Sequence, residues 1–302
     1  MKYGFLILLC LFLSFSGKAQ RDGVDYTWWN ELHDWQPGDP GWRNWIKITP
    51  GYLGPNALPV PPVKKGVVED TPFFEVTASG HFHPGDPTQD LSGRLFLPFA
   101  RDKIAVEMYG MVVERYAFST EIRNERFARV EDGKGFAMGD IYFSTLIQVS
   151  KNRKFPNTLF RFATKTASGN MLEAARHSDS PAYFFDFSFS KTYRGNGPVI
   201  FRPFGLAGFY TWQTNDELAL QNDALMYALG ADLEIKNRWL FSVSWSGYSG
   251  YKNRRDRPMQ INLDLRKDYE KSAIRIQYHH GVREWQYKTV RFSYIWKWNR
   301  EG

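Results

Sequence analysis

The chain has 302 residues, a formal charge of +7, 17% aromatic residues and one cysteine. Its basic residues are scattered without a cluster, which argues against nucleic-acid binding, and a single cysteine leaves no disulfide framework and no thiolate metal site. Only one apolar run stands out, near the start, and it is shorter than the roughly 18 residues a membrane helix needs, so a helical membrane protein is excluded.

That run belongs to "MKYGFLILLCLFLSFSGKAQ", with Lys2 in front of an apolar stretch from Phe5 to Phe15 and Gly17-Lys18-Ala19 as a small-x-small end. The pattern is that of a signal peptide over 1–19, so export is expected. Losing Lys2 and Lys18 lowers the charge from +7 to +5. Cys10 falls inside the same stretch, and the mature chain is expected to be free of thiols.

Residues 20–72 differ in composition from everything after them. Trp28, Trp29, Trp35, Trp42 and Trp45 are five of the eleven tryptophans. Pro50, Pro55, Pro59, Pro61 and Pro62 follow, and proline fixes its own φ while biasing its predecessor toward extended conformations. A stiff, extended, aromatic-studded segment suits docking, because large rings bury much area at low entropic cost. The expectation is an irregular extension on the periplasmic side that either folds against its own barrel as a plug or cap, or presents the five tryptophans to a partner.

Residues 73–298 read as twelve short alternating segments separated by turn signals. The first carries Phe74, Val76, Ala78 and Phe82 on one face, the fourth Ile141, Phe143, Ile147 and Val149, the sixth Tyr183, Phe185, Phe187 and Phe189, and the last, "VRFSYIWKW", Val290, Phe292, Tyr294, Trp296 and Trp298. The seventh, near Val199 to Trp212, is apolar on both sides and its facing is ambiguous. Successive side chains of a strand point to opposite faces, so the other faces collect Glu75, Arg94, Glu107, Asp140, Arg161, Asp186, Asp232, Arg275 and Arg291. A soluble barrel or sandwich would show the same alternation turned inside out.

Connection length decides between them. The connections after even-numbered segments are short, whereas those after odd-numbered ones include Phe118 to Gly135 and Ser168 to Ala182. Short turns on one side and long loops on the other, with an even strand number, predict an all-β, transmembrane, antiparallel up-and-down barrel of about 12 strands in an outer membrane, with both termini periplasmic. Charged side chains toward lipid would cost roughly 2–4 kcal/mol each near the midplane for Arg or Lys, so they are expected to face the lumen as a mixed-sign network.

The barrel pattern and the alternate aromatics of "VRFSYIWKW" resemble bacterial outer-membrane β-barrel proteins, whose closing strand carries such a signal for the insertion machinery. The chain departs from that pattern by ending on Asn299-Arg300-Glu301-Gly302 instead of an aromatic. The "GKAQ" end of the leader is similar to those of Bacteroidota, and "GDIYFSTLIQ" and "FRFATKTASG" resemble an outer-membrane family proposed to transport aromatic compounds.

No nucleophile elbow, phosphate loop, dinucleotide fingerprint or zinc helix is present. His81 and His83 share a strand face near His279, which reads as polar residues at a wet barrel mouth, and His177 with Asp179 falls on an outer loop. No catalytic residue, metal or cofactor is expected. The mixed-sign lumen reads as filled, which favours an accessory or scaffold subunit of a larger envelope complex, with outer-membrane lipid and other outer-membrane or periplasmic proteins as partners. The alternatives are a channel for small hydrophobic or amphipathic solutes and an outer-leaflet enzyme.

Overall fold

The computed structural model describes residues 24–298 except 101, 152, 153 and 237. The expected signal peptide, Cys10 and the terminal Asn299 to Gly302 lie outside the described residues. Twelve long strands follow one another: β1 Phe73–Phe82, β2 Thr88–Phe99, β3 Ile104–Ala117, β4 Ile141–Ser150, β5 Asn157–Lys165, β6 Ala182–Ser190, β7 Val199–Gln213, β8 Gln221–Ile235, β9 Trp239–Gly250, β10 Met259–Asp268, β11 Ser272–Arg283 and β12 Lys288–Lys297. Each pairs antiparallel with the next. β1 also pairs with β12, from Phe73 opposite Lys297 to Phe82 opposite Lys288, so the sheet closes on itself. Two short strands, Lys134–Ala137 against β3 and Tyr193–Arg194 against β7, add to the ring without interrupting it.

Closure follows from the surroundings that the outer surface requires. Phe143, Phe185, Leu229, Val243, Phe292 and Trp296 are all 38–63% exposed and form part of an apolar belt on the outside. A surface of that kind belongs in hydrocarbon, where no water satisfies a free sheet edge, and only a ring pairs every backbone group. Inward positions on the same strands are polar: Glu75, Glu107, Arg161, Asp186, Asp232 and Ser293 are buried. A bulge between Leu91 and Ser92 shifts the β2–β3 register, and Val112 and Val113 are both exposed beside it.

Residues 40–72 occupy the lumen. At the long-loop end Asn44 Nδ2 donates to Glu217 (2.8 Å) and Thr49 Oγ1 to the Arg254 carbonyl (2.9 Å). At the short-turn end Val68 N donates to Gln148 Oε1 (2.7 Å), and Trp298 N donates to the Pro72 carbonyl (3.3 Å). The chain thus runs the length of the barrel before β1 begins. The sequence expectation placed the extension and the C-terminus on one side; residues 42–49 instead lie at the end opposite Trp298. The reason is steric and electrostatic: an extended proline-rich run is long enough to thread the ring, and its partners are distributed along the whole interior.

This segment explains β7. Its outer face carries Val199, Phe201 and Phe209, and its inner face Phe204, Leu206, Tyr210 and Trp212, which are buried. The inner face is apolar because Ile46, Ile48, Leu53, Leu58 and Val60 of the internal segment belong to the same cluster. Trp285 is 4% exposed and donates through Nε1 to the Pro55 carbonyl (3.3 Å). It serves the interior.

Residues 24–39 form a separate unit with one helical turn, α1 Thr27–Leu32. Asp25 Oδ1 accepts from Thr27 N and Oγ1 at its start, and the Trp29 and His33 rings lie 4.9 Å apart.

Because Phe292 sits mid-strand and 52% exposed, Phe292→Arg is expected to destabilise the barrel in lipid vesicles by about 2–4 kcal/mol, and Trp296→Arg, near the rim, by about 0–1 kcal/mol. Denaturant unfolding followed by tryptophan fluorescence measures both. Equal costs at the two positions would contradict the belt.

Candidate functional site

The lumen has three layers, each built from alternate positions of neighbouring strands. Nearest the long loops is an aromatic layer of Tyr109, Tyr142, Phe184, Tyr210, Trp212 and Tyr248, covered by the apolar residues of the internal segment. At the short-turn end Phe73, Phe96, Leu146, Leu159 and Ile295 make an apolar floor with Val68. Between them lies the ionic layer.

Most of the ionic layer pairs within the wall. Arg161 Nε donates to Asp186 Oδ2 at 2.6 Å across β5 and β6, with both side chains fully buried. Arg94 Nε reaches Glu107 Oε1 at 3.0 Å, and Arg275 Nε bonds both oxygens of Asp264 at 3.0 Å. Arg94 and Arg275 flank Glu75 at 3.8 and 3.6 Å. Arg202 lies 3.5 Å from Asp232 and 3.2 Å from Glu234. Asp140 sits one residue before β4 and takes the Lys165 ammonium at 2.7 Å. Of the nine charges singled out from the sequence, Arg291 stands apart: its buried Nε has no hydrogen-bond partner. Such pairs matter mainly when broken, since removing one partner of a buried pair costs about 3–5 kcal/mol.

The internal segment is fastened to this wall by two kinds of contact. Wall side chains donate to its carbonyls: Trp212 Nε1 to Ile48 (2.8 Å), Tyr248 OH to Leu58 (2.8 Å) and Arg161 NH1 to Pro62 (2.9 Å). A proline-rich extended chain has no ladder to satisfy its carbonyls, so buried ones need such donors. Its own cations then reach the wall. Lys64 Nζ bonds Glu107 Oε1 at 2.6 Å, and Lys65 Nζ bonds Asp232 Oδ1 at 2.7 Å and Ser242 Oγ at 2.9 Å. Gly66 passes the rim at φ +74°, where a Cβ would stand 2.7 Å from backbone atoms of both Asn157 and Ser190. Only glycine fits there.

Over the mouth, the long connections are tied together by a buried charge cluster. Asp86, between β1 and β2, accepts from Arg176 NH1 (2.8 and 2.9 Å), from Arg126 NH1 (2.7 Å) and from the Tyr287 hydroxyl. Arg176 also donates to Glu114 Oε1 (2.6 Å) and Thr88 Oγ1 (2.9 Å) and lies over the Tyr116 ring. Four outer connections thus meet on one carboxylate. Burial alone would favour the neutral acid, yet Arg176 and Arg126 outweigh it and hold the Asp86 carboxyl below the usual 3.8.

The five tryptophans separate. Trp42 packs against the lumen cluster, with Arg129 over its ring at 5.2 Å, and Trp45 faces Phe127 at 5.8 Å. Trp28 and Trp35 are partly exposed and Trp29 is buried, all three in the 24–39 unit. Beside Trp45 a cavity of about 390 Å³ opens among the long loops, lined by Lys47, Phe127, Glu217, Lys252 and Arg254 among others.

Each histidine has a defined place. His81 bridges Asp90 Oδ2 (2.6 Å) and Thr289 Oγ1 (2.8 Å). A hydroxyl, an imidazole and a carboxylate in line resemble a nucleophile relay, but Thr289 is 0% exposed and His81 1%, so no substrate reaches the oxygen. His83 lies past the end of β1, its ring 5.0 Å from Tyr287. His177 is buried with neither ring nitrogen hydrogen-bonded, 4.0 Å from both Glu114 and Asp140. No group of three or more His, Cys, Asp or Glu residues among the described residues is placed to hold a metal.

No family model matches the sequence and no curated protein matches it. Among solved structures, an outer membrane channel from Pseudomonas putida F1 aligns with a TM-score of 0.54 at 12% identity, over 80% of this chain and 97% of that one. The KdgM porin gives 0.45 at 8% identity over 74% and 99%. The Pseudomonas putida toluene transporter TodX gives 0.34 at 7% over 82% and 95%. The first likeness concerns the fold alone, and the two lower scores add nothing to it. Together with the closed ring and the apolar belt, it gives the chain the fold of outer-membrane β-barrels.

Burial holds the His177 imidazole below its usual 6.5, against the partial help of Glu114 and Asp140 and with Arg176 and Lys165 acting in the same sense as burial. The unfolded loop therefore binds a proton that the folded loop refuses, and loop stability falls as pH drops below 6.5 toward the lower folded value. Proteolysis of the loop 166–181 is expected to quicken between pH 7 and 5 in the wild type, and His177→Asn is expected to flatten that dependence.

Proposed function

We propose that the chain is an outer-membrane channel for small solutes, held closed by its own residues 46–68, with the short-turn end in the periplasm. The observation that carries this reading is the self-sufficiency of the wall. Arg161 with Asp186, Arg94 with Glu107, Arg275 with Asp264 and Arg202 with Glu234 pair without help from the internal segment. A ring whose interior charges are already compensated can lose its filling and admit water, whereas a wall neutralised only by the filling could not. The solved structure that shares the fold is named an outer membrane channel, which agrees with this reading.

The aromatic layer suggests which solutes pass. Tyr109, Tyr142, Phe184, Tyr210 and Trp212 would line the path once the segment moved, offering faces to amphipathic molecules above an ionic layer that orients polar groups. The accessory-subunit reading draws on the same filled lumen, treating it as permanent, and on the partly exposed Trp28 and Trp35 as partner contacts.

Conductance separates the two. Ile46, Ile48, Leu53 and Leu58 are 1–2% exposed, and each contributes about 1.5–3 kcal/mol of burial. In planar bilayers the wild type is expected to be closed for most of the recording. Leu53→Asp/Leu58→Asp places two unpaired carboxylates in the apolar layer and is expected to produce steady unitary steps. A folded double variant as silent as the wild type would set the channel aside in favour of a permanently filled accessory barrel.

A further inference from the structure

Lys64 and Lys65 are the cations that the internal segment adds to the ionic layer, and the groups that receive them have the composition of an amine site. Asp232 Oδ1 and Ser242 Oγ accept from the Lys65 ammonium at 2.7 and 2.9 Å, while the Phe204 ring faces it at 5.0 Å. A carboxylate, a hydroxyl and an aromatic face around one ammonium supply the charge, the directed acceptor and the π-surface by which organic cations are recognised. Glu107 supplies a carboxylate to the Lys64 ammonium at 2.6 Å.

Two further features go beyond a simple tether. Glu107 is 2% exposed, yet its Oε2 has no hydrogen-bond partner, and Asp232 Oδ2 has none either, with only the Arg202 guanidinium at 3.5 Å. Acceptor capacity thus remains unused beside both ammonium groups. The Lys65 side chain keeps 26% exposure, so a solute can meet the ammonium, and Asp232, 1% exposed beneath it and three residues from the short-turn end of β8, is uncovered only when that ammonium leaves.

We infer that Glu107 and Asp232, with Ser242 and Phe204, form a binding site for small organic ammonium ions, which Lys64 and Lys65 occupy in the closed barrel as internal surrogates. The inference rests on the channel reading for its purpose, since a solute amine that replaces a lysine releases the segment's ionic anchor. The ligands it selects are primary amines and short diamines; neutral analogues of the same length bind less well because they bring no positive charge to the free acceptor atoms, Glu107 Oε2 and Asp232 Oδ2. With the lysines gone the ionic layer loses two positive charges, and the open lumen prefers cations.

The test uses the full chain in lipid vesicles, with folding checked by heat-modifiable electrophoretic mobility. Lys64→Ala/Lys65→Ala vacates the site. Its thermal unfolding midpoint is expected to rise saturably with 1,4-diaminobutane and not with butane-1,4-diol, since a ligand bound only by the folded state stabilises it by mass action. The same variant carrying Glu107→Gln and Asp232→Asn is expected to lose the response. If that combination fails to fold, Ser242→Ala in the double-alanine background is expected to weaken diamine affinity by about threefold to tenfold. A midpoint that ignores the diamine, responds equally to the diol, or responds unchanged when the carboxylates or Ser242 are replaced overturns the site. Conduction by Leu53→Asp/Leu58→Asp with no diamine response in Lys64→Ala/Lys65→Ala would sink this inference alone; a diamine response in a protein that never conducts would sink the channel and leave the amine site standing.

Discussion

The structure depends on one constraint: in hydrocarbon every backbone N–H and C=O must be paired within the protein, so the sheet must meet itself. The β1–β12 seam meets that demand over ten residue pairs. Once the ring is closed, the period of two along each strand sends half of all side chains into a confined space, and the chain has to specify what fills it. Here it is filled with protein. Side-chain donors from the wall take up the carbonyls of a proline-rich segment that could not have joined any strand ladder.

The interior is graded along its axis. An apolar floor, an ionic middle and an aromatic upper layer are three different solvents stacked in one tube. Each accepts a matching piece of the internal segment: Val68 at the floor, Lys64 and Lys65 in the middle, and Ile48, Leu53 and Leu58 above. The match specifies a register. Sliding the segment by one residue would set Val63 or Gly66 where a lysine meets its carboxylate, and Gly66 could no longer pass the gap between Asn157 and Ser190.

Much of the barrel is legible in the sequence, because lipid on one side and charge on the other impose an alternation too regular to mistake. The twelve segments, the inward Glu75, Arg161 and Asp186 and the outward aromatics of β12 follow from that period alone. What escapes is whatever depends on the third body inside. β7 looks ambiguous because its inner face answers to the internal segment and not to water, and nothing in the period shows that Trp285 serves Pro55. Lys64 and Lys65 carry a faint signal, two adjacent cations one residue after a proline pair and next to no acid. Arg176 carries none: Asp86, Glu114 and Arg126 converge on its surroundings only through loop closure, which no local pattern encodes.

The internal segment is covalently continuous with β1 at Phe73, so it is a tethered stopper and not a diffusible one. Wherever it swings, its local concentration near the lumen stays on the order of millimolar, set by the length of the leash and not by how much protein the membrane holds. On the proposed channel reading, reclosure would be a first-order event with a rate built into each molecule. A solute that pried the stopper loose would compete against a neighbour that never leaves.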